Sequence, residues 1–152
     1  RCWKILVTDI FDNVLVILKT LIKCDTINIL SNPDALDPYK KNKGKVHVMF
    51  ETSGDEVAIR LGMEVLKPKA IMIQLGLGRD VLIPQNIIVK KELELRGSFR
   101  LNEEFGQAVK LINSKQLKLN RLLTHNFSIK NAFEAFEVAG NKKISMKVQI
   151  DF

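Results

Sequence analysis

The residues best placed for chemistry in this sequence stand at the ends of apolar runs. Asp9 ends the run Lys-Ile-Leu-Val-Thr-Asp, and small or polar residues end three later runs. A carboxylate at the end of a parallel strand can accept hydrogen bonds from both hydroxyls of an adenosine ribose, and it repels a 2′-phosphate. The alternative is that Asp9 only closes a turn. The other run-end residues are Thr52, Ser53, Gly54, Leu75, Gly76, Leu77, Ser98, Phe99 and Arg100.

Gly76-Leu77-Gly78 has only part of a phosphate-binding loop. The dinucleotide fingerprint G-x-G-x-x-G has a third glycine and opens a helix. Here Arg-Asp-Val follows the second glycine, and Pro84 comes soon after. Two interpretations stay open, a strand-end turn and a backbone contact with a ligand, and a pyrophosphate cradle is not expected.

The histidines and cysteines do not form a metal or nucleophile motif. Cys2 and Cys24 lack C-x-x-C spacing, and neither His47 nor His125 has a partner acid or cysteine at useful spacing. We therefore expect structural histidines. The scattered cysteines favour a reducing, cytoplasmic setting. Lys147, in the last apolar stretch, has a surface lysine as its simplest interpretation.

The composition predicts a soluble domain of ordinary make-up. The 152 residues are 46% hydrophobic and 27% charged, and the net charge is +7. The densest basic run, Tyr-Lys-Lys-Asn-Lys-Gly-Lys, has no interleaved aromatics for base stacking, so a solvated loop is favoured over a polyanion site. The apolar runs are shorter than the roughly 18 residues that a membrane span needs. We expect neither a nucleic acid nor a membrane as partner.

Strand-like and helix-like segments alternate along the chain, which predicts an α/β fold with a parallel sheet. Ligands bind such sheets beyond the carboxyl ends of the strands. The predicted strands are 4–9, 26–30, 45–51, 70–75, 93–99, 122–128 and 145–152. The predicted helices are 12–23, 33–41, 53–67, one that follows 102, and one from 128 to 140, whereas 76–87 is predicted to be a loop.

Polar residues before the helical segments predict N-caps, and apolar spacing predicts buried faces. The predicted caps are Asp12, Ser53, Asn102 and Ser128, and Pro68 is expected to end the helix that Ser53 opens. Two of the predicted inward faces are Val57, Ala58, Leu61 and Val65 in one helix, and Ile129, Ala132, Phe133 and Phe136 in another.

Six stretches, taken in order, resemble the C-terminal half of the zinc-containing medium-chain alcohol and polyol dehydrogenases, closest to the branch of L-idonate and sorbitol dehydrogenases. They are VTDIFDNVL, VHVMFETSG, MEVLKPKAIMIQLGLG, KKELELRGSFR, LLTHNFSIKNAFEAFEVA and MKVQIDF. The family has Gly-Ala-Asp where this chain has Ile-Lys-Cys (22–24), and Lys-Pro-Gly-Gly where it has Lys-Pro-Lys-Ala (67–70). The lost glycines predict altered local turns but leave the matched cofactor positions untouched.

The resemblance implies a partial Rossmann-type sheet, strands two to six, over 1–100, and a C-terminal return segment of the catalytic domain over 101–152. It implies that Asp9 binds the adenosine ribose of NAD and that Lys147 reaches the pyrophosphate. It also implies that 52–54 lie near the cofactor, that the backbone of 75–77 faces the nicotinamide ribose, and that 98–100 lie near the carboxamide and the substrate. Strand one, the glycine-rich loop and the zinc ligands are expected upstream of Arg1, so the chain is expected to be a piece of a longer one.

The resulting hypothesis is an NAD-dependent, zinc-containing oxidoreductase whose parent oxidises a secondary alcohol of a polyol or sugar acid, is homo-oligomeric and is cytoplasmic. Zinc is a cofactor of the parent only. The alternatives are a catalytically inactive fragment, a non-enzymatic α/β binding module and, with less support, a nucleic-acid binder that uses the basic run.

Overall fold

A computed structural model describes residues 4–117 and 119–152 and confirms the α/β fold with parallel strands. The strands are β1 Leu6–Asp9, β2 Asp25–Asn28, β3 Val46–Glu51, β4 Leu66–Gln74, β5 Glu94–Gly97, β6 Leu123–Ser128 and β7 Lys147–Asp151. The helices are α1 Asp12–Leu21, α2 Asp37–Lys40, α3 Glu56–Val65, α4 Gln85–Lys91, α5 Glu104–Asn113 and α6 Ala132–Gly140.

The described strands form three parallel sheets in two compact units. In one unit, which holds the residues up to Pro33 together with Asn102–Phe152, β1 pairs with β2 and β6 pairs with β7. The other unit, Asp34–Leu101, contains the sheet β3-β4-β5. Parallel pairing brings the carboxyl ends of neighbouring strands to the same edge. None of the described helices is long and apolar enough to cross a membrane.

The core of the Asp34–Leu101 unit forms where α3 packs on β4. Ile59 and Met63 of α3 are buried against Leu66, Ala70 and Met72. The predicted face was partly wrong. Val65 is buried as expected, but Val57 is 61% exposed.

Gly62 lies on the inward face of α3. A Cβ at Gly62 would lie 2.2 Å from Cε of Met49, so the missing side chain leaves the space that the end of the Met49 side chain fills. Ile59 and Met63 stand three residues before and one after Gly62, on the same face of an α-helix.

Three predicted N-caps were wrong. Phe11, Asp55 and Glu103 occupy the cap positions of α1, α3 and α5. Asp55 accepts hydrogen bonds from the N–H groups of Val57 and Ala58 at 2.9 and 3.1 Å.

Two of the mispredicted caps bond elsewhere. The Asp12 carboxylate accepts a 2.7 Å bond from Asn28 Nδ2, and the Ser53 hydroxyl donates to Glu51. Asp12 is thus engaged by a residue 16 positions away, and Ser53 by a residue two positions before it. Ser128 does cap its helical segment, through a 3.5 Å bond from the N–H of Lys130.

Strand β4 begins earlier than the sequence predicts, because α3 already ends at Val65 and Pro68 lies inside the strand. The register with β3 shifts between Val46 and Val48, and Lys69 has φ of 60°. A left-handed conformation costs a residue with a Cβ about 1–2 kcal/mol. Lys69 therefore carries the strain that a glycine would avoid at this turn.

Helix α4 was missed, since 76–87 was predicted to be a loop; the helix begins directly after Pro84. From its last turn, Lys91 Nζ donates to the carbonyls of Met63, Glu64 and Leu66 at 2.7–2.9 Å. These bonds satisfy carbonyls that the end of α3 leaves without helical partners.

In the unit that holds β1, β2, β6 and β7, fewer helix residues are buried. Leu15 of α1 and Ala135 of α6 are buried, whereas α5 buries no residue. Phe133 and Phe136 were predicted to face inward, but they are 90% and 72% exposed. The small Ala135 is the α6 residue that packs inward, and this turns both phenylalanines outward.

Candidate functional site

The carboxyl ends of β3 and β4 meet in a strand-end cluster, defined here as residues 51–54 and 74–78. Glu51 and Gln74 are register partners in the parallel pair and are the last residues of their strands. Two of the predicted site segments, 52–54 and 75–77, therefore leave the sheet side by side.

The Glu51 side chain anchors the first of these turns. Its Oε1 accepts the N–H of Ser53 at 2.8 Å and also the Ser53 hydroxyl, and its Oε2 accepts the N–H of Gly54 at 2.9 Å. The residue is only 3% exposed. A buried carboxylate is tolerated because every donor around it points at an oxygen.

Gln74 connects the two strand ends. Its Nε2 donates to Glu51 Oε2 at 2.5 Å and to the carbonyl of Gly76 at 2.9 Å. The main-chain oxygen of Glu51 accepts the N–H groups of Leu75 and Gly76 at 2.8 and 2.9 Å. Glu51 thus holds one loop with its side chain and the other with its backbone.

Glycines allow the two loops to touch. A Cβ at Gly76 would lie 2.2 Å from the nitrogen of Gly54 and 2.7 Å from Glu51 Oε2. Gly54 has φ of 69°, and a Cβ there would lie 2.9 Å from the nitrogen of Gly78. Residues with a Cβ cannot make these approaches without a backbone shift.

Two opposing effects set the charge of Glu51. Burial raises the pKa of its carboxyl, but hydrogen bonds from the Ser53 hydroxyl, the N–H groups of Gly54 and Ser53, and Gln74 outweigh burial. The net effect lowers the pKa below its ordinary value of 4.5. The carboxylate is therefore ionised at neutral pH.

The end of β5 continues the same edge. The N–H of Ser98 donates to the carbonyl of Gln74 at 2.9 Å, which ties the third predicted segment to the cluster. Phe99 and Arg100 are exposed, and the guanidinium carbon of Arg100 lies 4.8 Å from the centre of the Phe99 ring. Arg100 has φ of 58°.

An open groove of about 410 Å³ runs beside the cluster. Gly54, Gly76 and Leu77 are the predicted site residues in its wall. Apolar core residues of α3 and β4 and the polar side chains of Arg79, Asp80 and Arg96 complete it. Thr52, Ser53, Leu75 and the 98–100 segment are not among its lining residues.

Asp9 and Lys147 lie in the other unit. Asp9 closes a turn, since its Oδ1 accepts the N–H groups of Ile10 and Phe11 at 2.7 and 2.9 Å. Within the described residues no donor contacts Oδ2, so one oxygen is left for a ligand. The Lys147 side chain is exposed on β7.

The histidine at 125 and the basic run, which were not predicted to be functional sites, form local contacts. His125 Nδ1 lies 3.0 Å from the Thr124 hydroxyl, and its ring stacks on Phe127. In the basic run, Lys40 forms ion pairs of 3.0 and 3.2 Å with Asp37 and Glu64. The described residues contain no group of three or more His, Cys, Asp or Glu that could hold a metal ion.

Glu51 and Gln74 were missed by the sequence prediction. The signal was present, because Glu51 ends an apolar strand in the same way as Asp9. Gln74 gave none, since only the register shows that its amide faces the carboxylate of Glu51.

Comparison with known proteins gives consistent matches. A family model described as "Zinc-binding dehydrogenase" matches residues 2–114. L-idonate 5-dehydrogenase (NAD(P)(+)) of Escherichia coli (strain K12) is 34% identical over 128 residues, which is 82% of this chain and 37% of that protein. Sorbitol dehydrogenase of Bos taurus is 28% identical over 152 residues, covering 97% of this chain and 42% of that protein.

A solved structure has the same fold. The crystal structure of L-idonate 5-dehydrogenase from Escherichia coli matches 98% of this chain with a TM-score of 0.92 and 30% identity, over 43% of its own length. These matches confirm the resemblance identified in the sequence. The chain spans less than half the length of the relatives described here.

Proposed function

Because this chain belongs to the zinc-binding dehydrogenase family, we propose that it forms the dinucleotide-binding part and the C-terminal segment of an NAD-dependent polyol dehydrogenase. The parent enzyme oxidises a secondary alcohol of a polyol or sugar acid and transfers a hydride to NAD. The observation that carries the proposal is the match to L-idonate 5-dehydrogenase over nearly the whole chain. Another relative in the same comparison is a sorbitol dehydrogenase.

Asp9 is proposed to bind the adenosine ribose. Its Oδ1 is occupied by the turn, and its Oδ2 faces no protein donor among the described residues. A carboxylate oxygen of this kind can accept a ribose hydroxyl, and its charge disfavours the 2′-phosphate of NADP. The two interpretations of Asp9 are thus compatible, because each uses a different oxygen.

The strand-end segments are proposed to bind the nicotinamide half of NAD, with 52–54, 75–77 and 98–100 as the contact regions. Glu51 holds the loop 52–54 with its side chain and the loop 75–77 with its main-chain carbonyl, so the backbone groups of both loops are fixed before a ligand binds. Arg100 is proposed to pair with a carboxylate of a sugar-acid substrate or with the carboxamide end of NAD, and Lys147 with the pyrophosphate.

Zinc is proposed for the parent enzyme only. The described residues include no ligand set that fits the ion. We therefore assign no catalytic step of this chain to zinc, and the residues of the chain serve cofactor binding and substrate orientation. A division at residue 100, between a Rossmann part and a catalytic-domain segment, is part of this proposal, as are a homo-oligomeric parent and a cytoplasmic location.

The test is an assay of the full-length protein that carries this chain, supplied with zinc. L-idonate, sorbitol and ethanol are offered with NAD and with NADP, and formation of the reduced cofactor is followed by its absorbance. The proposal expects turnover of a polyol or sugar acid with NAD that a chelator abolishes. Absence of turnover together with absence of NADH binding would contradict it and would favour a non-enzymatic module.

A further inference from the structure

We propose that Glu51, held in place by Gln74, is a positioning residue for the cofactor site, because it fixes the backbone of both loops 52–54 and 75–77. The cofactor half of this inference rests on the proposed function. The structural half does not: the carboxylate holds 52–54 directly and is linked to 75–77 through Gln74.

The carboxylate of Glu51 is fully used by the protein. It accepts two bonds from Ser53, one from Gly54 and one from Gln74, which matches the roughly four acceptor sites of an ionised carboxylate. A group satisfied in this way and buried has nothing left to offer a ligand. Its influence on a cofactor must therefore pass through the loops that it holds.

The hydrogen-bond pattern needs an acid at position 51. All four contacts come from donors, and a carboxylate supplies acceptors only. A glutamine of the same shape would keep one oxygen and turn an NH₂ group towards backbone N–H groups. Donor would then face donor at Ser53 or at Gly54.

Gln74 is matched to this arrangement. The two hydrogens of its Nε2 serve different acceptors, Glu51 Oε2 and the carbonyl of Gly76. The amide therefore links the carboxylate to the second loop. Leucine at position 74 would keep a similar volume and lose both bonds.

Contact between the glycines couples the two loops. Because a Cβ at Gly76 would lie 2.2 Å from the nitrogen of Gly54, neither backbone can move towards the other. Loss of the carboxylate releases 52–54 and also removes the partner of Gln74, whose amide bonds to the Gly76 carbonyl, so 75–77 is disturbed as well. A cofactor that touches both loops would sense a change at a residue it does not touch.

The test compares Glu51→Gln with Glu137→Gln in the full-length protein. Glu137 is an exposed carboxylate on α6, in the other unit, and it undergoes the same chemical change. Amide hydrogen exchange is measured at Ser53, Gly54 and Gly76, and NADH affinity is measured by fluorescence titration. Steady-state kinetics give KM for NAD and for the alcohol separately.

Glu51→Gln is expected to accelerate exchange at Ser53 and Gly54, whose N–H groups bond to the carboxylate. A smaller increase is expected at Gly76, whose N–H bonds to the main-chain carbonyl of Glu51. NADH binding should weaken about tenfold or more, as the loss of charged hydrogen bonds implies. KM for NAD should rise while KM for the alcohol stays nearly constant, a split that general destabilisation does not produce. Gln74→Leu should act in the same direction but less strongly. Glu137→Gln should match the wild type in every readout.

Each other outcome decides against part of the proposal. Faster exchange with unchanged NADH affinity would show that the loops do not position the cofactor. Weaker binding with unchanged exchange would mean that Glu51 contacts the cofactor itself. If the wild type does not bind NADH, the proposed function fails, and exchange in Glu51→Gln still decides whether the carboxylate holds the loops. Should Glu51→Gln fail to fold, Gln74→Leu supplies the same two readouts.

Discussion

Glu51 and Asp9 are both carboxylates at the carboxyl end of a parallel strand, yet their surroundings differ. Glu51 is buried and receives bonds from 53, 54 and 74, including one across to the neighbouring strand. Among the described residues, the Asp9 carboxylate accepts bonds only from the next two N–H groups of its own turn, through one oxygen. An acid used up by the fold cannot bind a ligand, whereas an acid with a spare oxygen can.

Glu51 and Asp9 thus differ in role: Glu51 supports the backbone of a candidate site, whereas Asp9 is available to contact a ligand. Strand position alone makes the two acids look equivalent, and what divides them is the count of donors within reach. Glu51 is expected to matter for stability and loop geometry. Asp9 is expected to matter for ligand choice and little for stability.

The largest effect is expected at the contact that Glu51 supports. In Gly76→Ala, the new Cβ would meet the nitrogen of Gly54 at 2.2 Å and Glu51 Oε2 at 2.7 Å, so the loops must separate. We expect a loss of about 3 kcal/mol in the free energy of unfolding, measured by urea denaturation. Gly97→Ala is the matched control, since a Cβ there meets nothing within 4 Å. Equal stabilities of the two variants would show that the loops do not touch.

A smaller effect on stability is expected at Asp9 than at Glu51. Glu51→Gln should lower the free energy of unfolding at neutral pH by about 2–3 kcal/mol, because buried donors lose a charged acceptor. Asp9→Asn should change it by less than about 0.5 kcal/mol, since an amide oxygen can still accept the two turn bonds. Similar losses in both variants would remove the distinction between the two strand ends.

Acid titration sharpens that prediction. The lowered pKa of Glu51 means that its stabilising effect is fully present above the ordinary value of 4.5 and is lost as the pH falls through the lowered value. The difference in unfolding free energy between wild type and Glu51→Gln should therefore shrink as the pH drops below 4.5. A difference that does not vary with pH would mean that the ionised form has no special role.

Arg100, like Asp9, is available to contact a ligand. Its guanidinium is exposed and rests on Phe99, so its removal should leave the fold intact. In the full-length enzyme, Arg100→Ala should lower kcat/KM for a sugar acid about tenfold or more, the effect of one charged hydrogen bond. Arg121→Ala, at an exposed arginine in the other unit, is the control. Undiminished kcat/KM would place Arg100 outside the site.

Much of the fold follows from sequence patterns. Apolar runs ended by polar residues located every strand, and most helices were found from their apolar spacing. Two of the cap errors share a physical origin, because another side chain bonds to the residue that was predicted to cap the helix. Ser53 looked like a helix cap but bonds to Glu51, and Asp12 looked like one but bonds to Asn28. Helix α4 has no capping side chain, and its sequence signals are Pro84 before it and two lysines in its last turn.

The candidate site was predictable to the same degree. The strand-end positions were located correctly because parallel strands present their carboxyl ends at one edge. The Glu51–Gln74 pair was not, since it depends on the register of β3 with β4, which shifts between Val46 and Val48. Exposure of Phe133 and Phe136 was equally hidden, because amphipathic spacing predicts a face and not what covers it.

The most direct test of the account is the cofactor preference of Asp9→Ser in the full-length enzyme. The measured quantity is the ratio of kcat/KM with NAD to kcat/KM with NADP, for the wild type and the variant under the same conditions. If the spare oxygen of Asp9 binds the ribose, removal of its charge should lower that ratio about tenfold or more, as loss of a charged hydrogen bond implies. A ratio that stays unchanged would show that Asp9 only closes its turn, and the assignment of this strand end to the ribose would be wrong.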